Sequence, residues 1–138
     1  TDIYIRTMST TDTWGEWVRL CHSGDSGMRL LWPNANPTGS FGAATLSIDG
    51  ADYDCYMIVS HVSINTDVCF CPVTIAYKGK YGHLIGFPNN KVARRRFFVN
   101  SAGTSITFEN AEYGGTYGAT TANNEYVIPM HIYGMYLN

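Results

Sequence analysis

Charge is scarce in this chain of 138 residues, at 14% of the sequence against the roughly 25% of ordinary soluble domains. Only nine residues are Lys or Arg and the formal net charge is −2, which argues against a nucleic-acid partner because such a partner needs a basic face. No apolar run approaches the roughly 20 residues of a membrane-spanning helix. We therefore expect neither nucleic-acid binding nor membrane insertion.

Helical periodicity is also missing, since no segment of eleven or more residues repeats its apolar positions at helical spacing. Short alternating segments, separated by turn residues about every 8–12 positions, instead predict about ten strands. The sequence therefore predicts an all-β, antiparallel β-sandwich that is jelly-roll-like. The predicted strands span residues 3–7, 14–20, 29–32, 43–49, 54–62, 68–77, 81–87, 94–100, 104–109 and 126–137.

The chain has four cysteines, and we favour reduced thiols over disulfides. Cys55, Cys69 and Cys71 lie in apolar, strand-like runs, where a free thiol behaves as a small hydrophobe. Cys69 and Cys71 share one face of a predicted strand about 6.5–7 Å apart, which is poor geometry for a bridge between them. Reduced thiols are typical of assembly in a reducing cytoplasm, and disulfides stay an alternative because the number of cysteines is even.

The sequence carries no signature of a nucleophile with its base, nor the spacing of a zinc knuckle or an EF-hand loop. Glu109 and Glu112 are the best candidates for a pair of glycosidase carboxylates. Their place near a polar loop favours two solvated acids instead. We therefore predict no metal, no cofactor and no enzymatic activity.

A loop rich in Tyr, Gly, Thr and Asn is predicted over residues 112–124, and it is the best binding candidate. Tyrosine offers a wide contact surface with only two torsions to order, and Asn amides suit sugar hydroxyls. A shorter second candidate lies at the start of the strand over residues 81–87. The alternative is that these tyrosines pack against a neighbouring subunit. The predicted carbohydrate-binding residues are Tyr81, His83, Tyr113, Tyr117, Asn123 and Asn124.

Two further features could contact a ligand. Trp14 and Trp17 could form an aromatic platform for a sugar, although packing against the remainder of the protein is the more usual role. The run from Arg94 to Arg96 places Arg94 and Arg96 on one face of a strand and Arg95 on the other. It could meet an acidic glycan or a phosphate, but surface or intersubunit ion pairs are the more common use.

The first two strands resemble a known structure. Tyr4-Ile5-Arg6-Thr7, followed by Trp14-Gly15-x-Trp17-x-Arg19-Leu20, looks like the closing hairpin of the knob modules in phage tail fibres and pyocin fibres. From this resemblance we expect residues 1–20 to form the end of a fibre knob module. The chain would then be a fragment of a longer fibre.

The remainder of the chain, residues 21–138, is similar to the C-terminal head domain of siphophage tail fibres and receptor-binding proteins. The resemblance lies in the order of several short motifs. These are Leu31-Trp32-Pro33-Asn34, Gly39-Ser40-Phe41, Arg95-Arg96-Phe97-Phe98-Val99, Tyr113-Gly114-Gly115 and Ile128-Pro129-Met130-His131-Ile132.

The resemblance implies a virion protein at the tip of a tail fibre, assembled in the host cytoplasm. It implies a homotrimer that binds a host surface polysaccharide without chemistry. One alternative is a carbohydrate-binding module of a bacterial enzyme or adhesin. Another is a purely structural virion module.

Overall fold

The computed structural model describes residues 3–5, 18–21, 27–64, 71–115 and 120–137, which contain eleven strands and one 3-10 turn. No helix in these ranges is long and apolar enough to cross a membrane. The strands are β1 (Ile3–Ile5), β2 (Val18–Cys21), β3 (Met28–Pro33), β4 (Ala44–Ser47), β5 (Cys55–Ser63), β6 (Val73–Tyr77), β7 (Tyr81–Gly86), β8 (Val92–Val99), β9 (Ser105–Gly114), β10 (Thr121–Ala122) and β11 (Tyr126–Met135). The 3-10 turn spans Pro88–Asn90.

Two antiparallel sheets pack face to face and confirm the predicted all-β sandwich of about ten strands. The four-stranded sheet has the order β3-β11-β5-β6. The five-stranded sheet has the order β10-β9-β8-β7, and β4 pairs with β9 on the same side as β10. A separate antiparallel pair joins β1 to β2, as the predicted hairpin requires, and places Tyr4 opposite Arg19. The other residues of that hairpin, 6–17, lie outside the described ranges.

The pairing of the first strands of the sandwich with later ones is jelly-roll-like. The first strands of the sandwich pair with the last ones, β3 with β11 in one sheet and β4 with β9 in the other. This nested pairing is the double ribbon of a jelly roll. The strands in the middle of the chain differ from a jelly roll. β5 and β6 form a hairpin within the four-stranded sheet, and β7 and β8 form a hairpin within the five-stranded sheet.

The core lies between the sheets and is built from alternate residues of their strands. Ile58 and Ile132 are opposite each other in the four-stranded sheet, and Phe97 is opposite Phe108 in the five-stranded sheet. All four are almost completely buried, and burial of each such side chain contributes about 1.5–3 kcal/mol. The predicted period-two alternation therefore corresponds to the inner faces of the sandwich.

Two predicted boundaries are wrong. β9 continues to Gly114, so that Glu112 and Tyr113 lie in a strand and not in the predicted loop over residues 112–124. Pairing with β8 extends β9, because Arg94 is opposite Glu112 in the ladder. Pro72 was predicted inside a strand, whereas β6 begins one residue later at Val73, where the backbone N–H is again available.

Candidate functional site

An open groove of about 440 Å³ lies on the outer face of the five-stranded sheet, across β7, β8 and β9. Its walls are polar and aromatic, whereas the opposite side of the same strands forms the core. The groove is lined by Tyr81, His83, Arg94, Arg96, Glu109, Asn110 and Glu112.

The alternation of β8 supplies the two groove arginines. Arg94 and Arg96 line the groove, while Arg95 between them is fully buried on the core side. This is the predicted division of the three arginines between the two faces. The guanidinium groups of Arg94 and Arg96 thus lie on the outer face of β8, on either side of the buried guanidinium group of Arg95 along the strand.

A β-bulge in β9 brings the acidic residues onto the same face. Arg95 is opposite Ala111 and Phe97 is opposite Phe108, so two residues of β9, Glu109 and Asn110, face the single residue Arg96. In a regular strand, residues three apart point to opposite faces, and Glu109 and Glu112 would be separated by the sheet. The extra residue in the bulge shifts the alternation of β9 by one position. Glu109 and Glu112 therefore point to the same face, and both carboxylates line the groove.

Arg94 and Glu112 form the tighter of the two ion pairs in the groove. Nε and Nη2 of Arg94 each lie 2.7 Å from Oε2 of Glu112, and Thr120 Oγ1 donates to the same oxygen at 2.9 Å. The hydrogen bonds from Arg94 and then from Thr120 hold the pKa of Glu112 below its ordinary value. Glu112 is therefore a carboxylate at neutral pH.

Arg96 forms the second pair and also stacks on an aromatic ring. Its Nη1 lies 3.4 Å from Oε1 of Glu109, and its guanidinium carbon lies 4.0 Å from the centroid of the Tyr81 ring. Tyr81 packs in turn against Phe98, with 4.7 Å between ring centroids. Phe98, Tyr81 and Arg96 thus form a packed row of side chains, of which Tyr81 and Arg96 line the groove.

Gly82 sets how closely β7 approaches the core beneath the groove. A Cβ atom at this position would lie 2.4 Å from Cζ of Phe97, which is closer than real contacts allow. The absence of a side chain lets β7 lie directly over the Phe97 ring. Its neighbours Tyr81 and His83 consequently point to the outer face, where His83 is opposite Arg96 in the ladder.

Arg95 anchors the bulge from below. Its Nη1 donates to the carbonyl oxygen of Glu109 at 2.7 Å, and its Nε donates to that of Val127 at 3.0 Å. A third hydrogen bond runs from Nη2 to the carbonyl oxygen of Tyr126 at 3.3 Å. Burial lowers the pKa of Arg95 to about 10, so the guanidinium is still charged at neutral pH. The side chain thus ties the groove floor to β11 of the other sheet.

Of the predicted sugar-binding residues, Tyr81 and His83 lie in the groove, whereas Tyr113 does not line it. Tyr113 stacks on Tyr126 with ring centroids 4.1 Å apart and an interplanar angle of 10°, and Lys91 Nζ lies 5.4 Å from its centroid. Both tyrosines are half-buried. This stack fills the space between the ends of β9 and β11.

The two predicted asparagines bond to the protein itself. Oδ1 of Asn124 accepts from the Ala111 N–H at 3.0 Å, and its Nδ2 donates to Oδ1 of Asn110 at 3.0 Å. The second hydrogen bond holds the side chain of Asn110, which lines the groove. Oδ1 of Asn123 accepts from the Glu125 N–H. The other predicted candidates, Tyr117, Trp14 and Trp17, lie outside the described residues.

The arrangement can hold a polar, uncharged ligand. The two arginines and two glutamates balance in charge, and their hydrogen-bonding groups face solvent beside the Tyr81 ring. Within the described parts of the chain, no group of three or more His, Cys, Asp or Glu side chains is placed to hold a metal ion. Among the cysteines, Cys55 is buried and free, and Cys71 is exposed and free.

The prediction missed the combination of Arg94, Arg96 and Asn110 with the two glutamates, although the sequence contains a signal for it. The buried apolar residues of β9 are Ile106, Phe108 and Ala111. The first two are two positions apart, as in a regular strand, but the last two are three positions apart. Such a change of phase within a strand indicates a bulge, and bulges often lie next to binding sites.

No family model, no curated protein and no solved structure matches this chain. The functional argument therefore depends on the groove and on the chemistry of its side chains.

Proposed function

We propose that this chain binds a bacterial surface polysaccharide non-covalently in the groove over β7, β8 and β9, as the receptor-binding tip of a phage tail fibre. The observation that carries the proposal is the meeting of an exposed aromatic ring with two charge-balanced Arg–Glu pairs. Tyr81 is 61% exposed even with Phe98 and Arg96 packed against it.

The chemistry of the groove suits a sugar. A pyranose presents an apolar C–H face that packs on an aromatic ring, and hydroxyl groups that both donate and accept. Carboxylate oxygens of Glu109 and Glu112 accept hydrogen bonds, and guanidinium groups donate them in a fixed fork. Because the charges cancel, the groove favours a neutral glycan over a strongly anionic one.

The ionisation of the carboxylates supports binding rather than cleavage. A glycosidase needs one carboxyl group with a raised pKa to protonate the leaving oxygen. Glu112 has a lowered pKa because Arg94 and Thr120 donate to it, and Glu109 is paired with Arg96. The environment of Glu112 is therefore not that of a general acid.

The wider assignment to a homotrimeric fibre tip depends on the resemblance of the sequence motifs to siphophage head domains. Weak binding of a single glycan unit would suit such an assembly. Several copies attached to one fibre engage a repetitive polysaccharide together, and the effective concentration of each further site strengthens the overall attachment.

A glycan-binding experiment tests the proposal. The full chain is screened against an array of bacterial surface polysaccharides, and hits are measured by titration calorimetry with wild type and with Tyr81→Ala and Arg96→Ala. We expect both variants to weaken binding at least about tenfold, since each removes one of the two packed side chains that line this side of the groove.

Phe87→Ala is the matched control because Phe87 is also an exposed aromatic residue, at 70%, but does not line the groove. It should bind as wild type does. Binding that survives both groove substitutions would contradict this site, and an array without any hit would contradict glycan recognition. Release of reducing ends from the polysaccharide over time would instead show an enzyme.

A further inference from the structure

The outer face of the four-stranded sheet is apolar across all four strands. The pairing register places Leu30, Tyr133, Met57 and Ile75 side by side in one row. The rows on either side of it have the same character. The apolar face, as we call it, consists of Met28, Leu30, Pro33, Cys55, Met57, Val59, Val73, Ile75, Tyr77, His131, Tyr133 and Met135.

None of these twelve residues is Asp, Glu, Lys or Arg. Cys55 is on this side by register but is completely buried, whereas several of the others are strongly exposed. The exposed fractions of Met28, Leu30, Val73, Ile75 and Tyr77 lie between 42% and 55%. The groove side of the other sheet carries two arginines and two glutamates at corresponding positions. The sandwich therefore has one polar outer face and one apolar outer face.

A solvated antiparallel sheet normally shows polar residues on its outward side. Here the inward residues are apolar as well, since Tyr56 and Ile58 of β5 and Ile132 of β11 are completely buried. β5 is therefore largely apolar on both sides, which is typical of a strand covered on both faces. The sandwich covers only one of them.

We propose that a second copy of this chain covers the apolar face, so that the protein self-associates through its four-stranded sheet. Electrical neutrality favours this occupant. The faces of two or three copies, which carry no Asp, Glu, Lys or Arg, meet with no repulsion, whereas a charged partner would find no group to pair with and would lose its hydration.

The size of the apolar face fits a stable contact between copies. Side chains of this kind carry on the order of 200 Å² each, so the five exposed fractions above correspond to roughly 470 Å² per copy. The other exposed or partly exposed residues of the face bring it to roughly 600 Å², and these are Pro33, Met57, Val59, His131, Tyr133 and Met135. Two copies then bury roughly 1,200 Å² in total, above the roughly 1,000 Å² expected of a biological interface. An exposed patch of this size on a monomer is at the upper end of what soluble proteins show.

The inference is independent of the proposed glycan binding, because the groove lies on the opposite sheet. Its test is the mass of the full chain by light scattering over a dilution series from about 1 to 100 µM, a range that reports dissociation constants of that order. We expect a mass of two or more copies of the 15.3 kDa chain at the higher concentrations. A mass of one copy throughout would overturn the proposal.

Ile75→Arg places a guanidinium in the middle of the contact and should raise the dissociation constant roughly 100-fold or more. Ile85→Arg is the matched control, because Ile85 has nearly the same exposure, 47% against 44%, but lies on the five-stranded sheet. The control should keep the wild-type mass. Unchanged mass for Ile75→Arg, or dissociation by Ile85→Arg, would overturn the placement of the contact.

Tyr77→Ser gives a second variant should Ile75→Arg fail to fold, which circular dichroism would reveal. Tyr77 is 49% exposed at the end of β6, and its replacement removes contact area without adding a charge. We expect a dissociation constant at least about tenfold higher than that of wild type. Glycan binding per chain should stay unchanged in a dissociated variant, which separates this inference from the function proposed for the groove.

Discussion

Replacement of Arg95 by Met should destabilise the protein strongly, although Arg95 touches no solvent. Met has a similar length and is apolar, so the change removes the guanidinium while it largely keeps the volume. The carbonyl oxygens of Glu109, Val127 and Tyr126 then lose a charged donor inside the sandwich.

The magnitude follows from what remains buried. Each buried carbonyl left without a donor costs about 1–3 kcal/mol, and the release of the guanidinium from a dry site offsets part of the sum. Three such carbonyls together cost about 3–9 kcal/mol, and with the offset we expect a net loss of about 3–5 kcal/mol. For a domain of this size the melting temperature should fall by roughly 10–15 °C.

The assay is thermal and urea unfolding followed by circular dichroism, with Arg96→Met as the control. Arg96 is the next residue of the same strand, but its side chain is 45% exposed and paired with Glu109 at the surface. Its replacement should change the free energy of unfolding by less than about 1 kcal/mol. If Arg95→Met melts within about 3 °C of wild type, the three carbonyl oxygens are satisfied in some other way and the reasoning is wrong.

Two further predictions concern the strands that form the groove. Gly82→Ala should lower the free energy of unfolding, measured by urea denaturation, by about 1–3 kcal/mol, because its Cβ would clash with the Phe97 ring. Gly115→Ala is the control and should be nearly neutral, because no atom lies within 4 Å of the added Cβ. Equal effects of the two substitutions would contradict the close approach of β7 to Phe97. Glu112→Gln should lower stability at pH 7 by roughly 0.5–1 kcal/mol. The pKa of Glu112 in the folded protein lies below its ordinary value. The difference in stability from wild type should therefore persist down to about pH 5 and vanish as the pH falls through the folded pKa. A difference that grows in acid would contradict the ion pair with Arg94.

Several features of the fold could be predicted from local pattern alone. Alternation separated Arg95 from Arg94 and Arg96 on β8, as the structure shows, and the predicted strands over residues 43–49 and 54–62 correspond to β4 and β5. These predictions succeed because a strand has a period of two residues, and each residue type shows directly which face is buried.

The boundaries of β9 and the groove were less accessible. Gly, Tyr and Thr in residues 112–124 favour a turn when they are read locally. The ladder with β8 nevertheless keeps Glu112 and Tyr113 in a strand, opposite Arg94 and Ala93. Long-range pairing outweighed local preference there, because each added ladder position satisfies backbone groups that a loop would leave to water.

Local alternation was enough to predict a β-sandwich of low charge, with Arg94 and Arg96 on one side of a strand and Arg95 on the other. Which residues meet depends on how the strands align in space. The bulge at Glu109 and Asn110 brings two carboxylates beside two arginines, and the register across β3, β11, β5 and β6 joins separate apolar residues into one face. The spacing of inward residues in β9 indicates the bulge itself, but neither the partners of the two carboxylates nor the joined face follows from local pattern, because both depend on the alignment between strands that lie far apart in the chain.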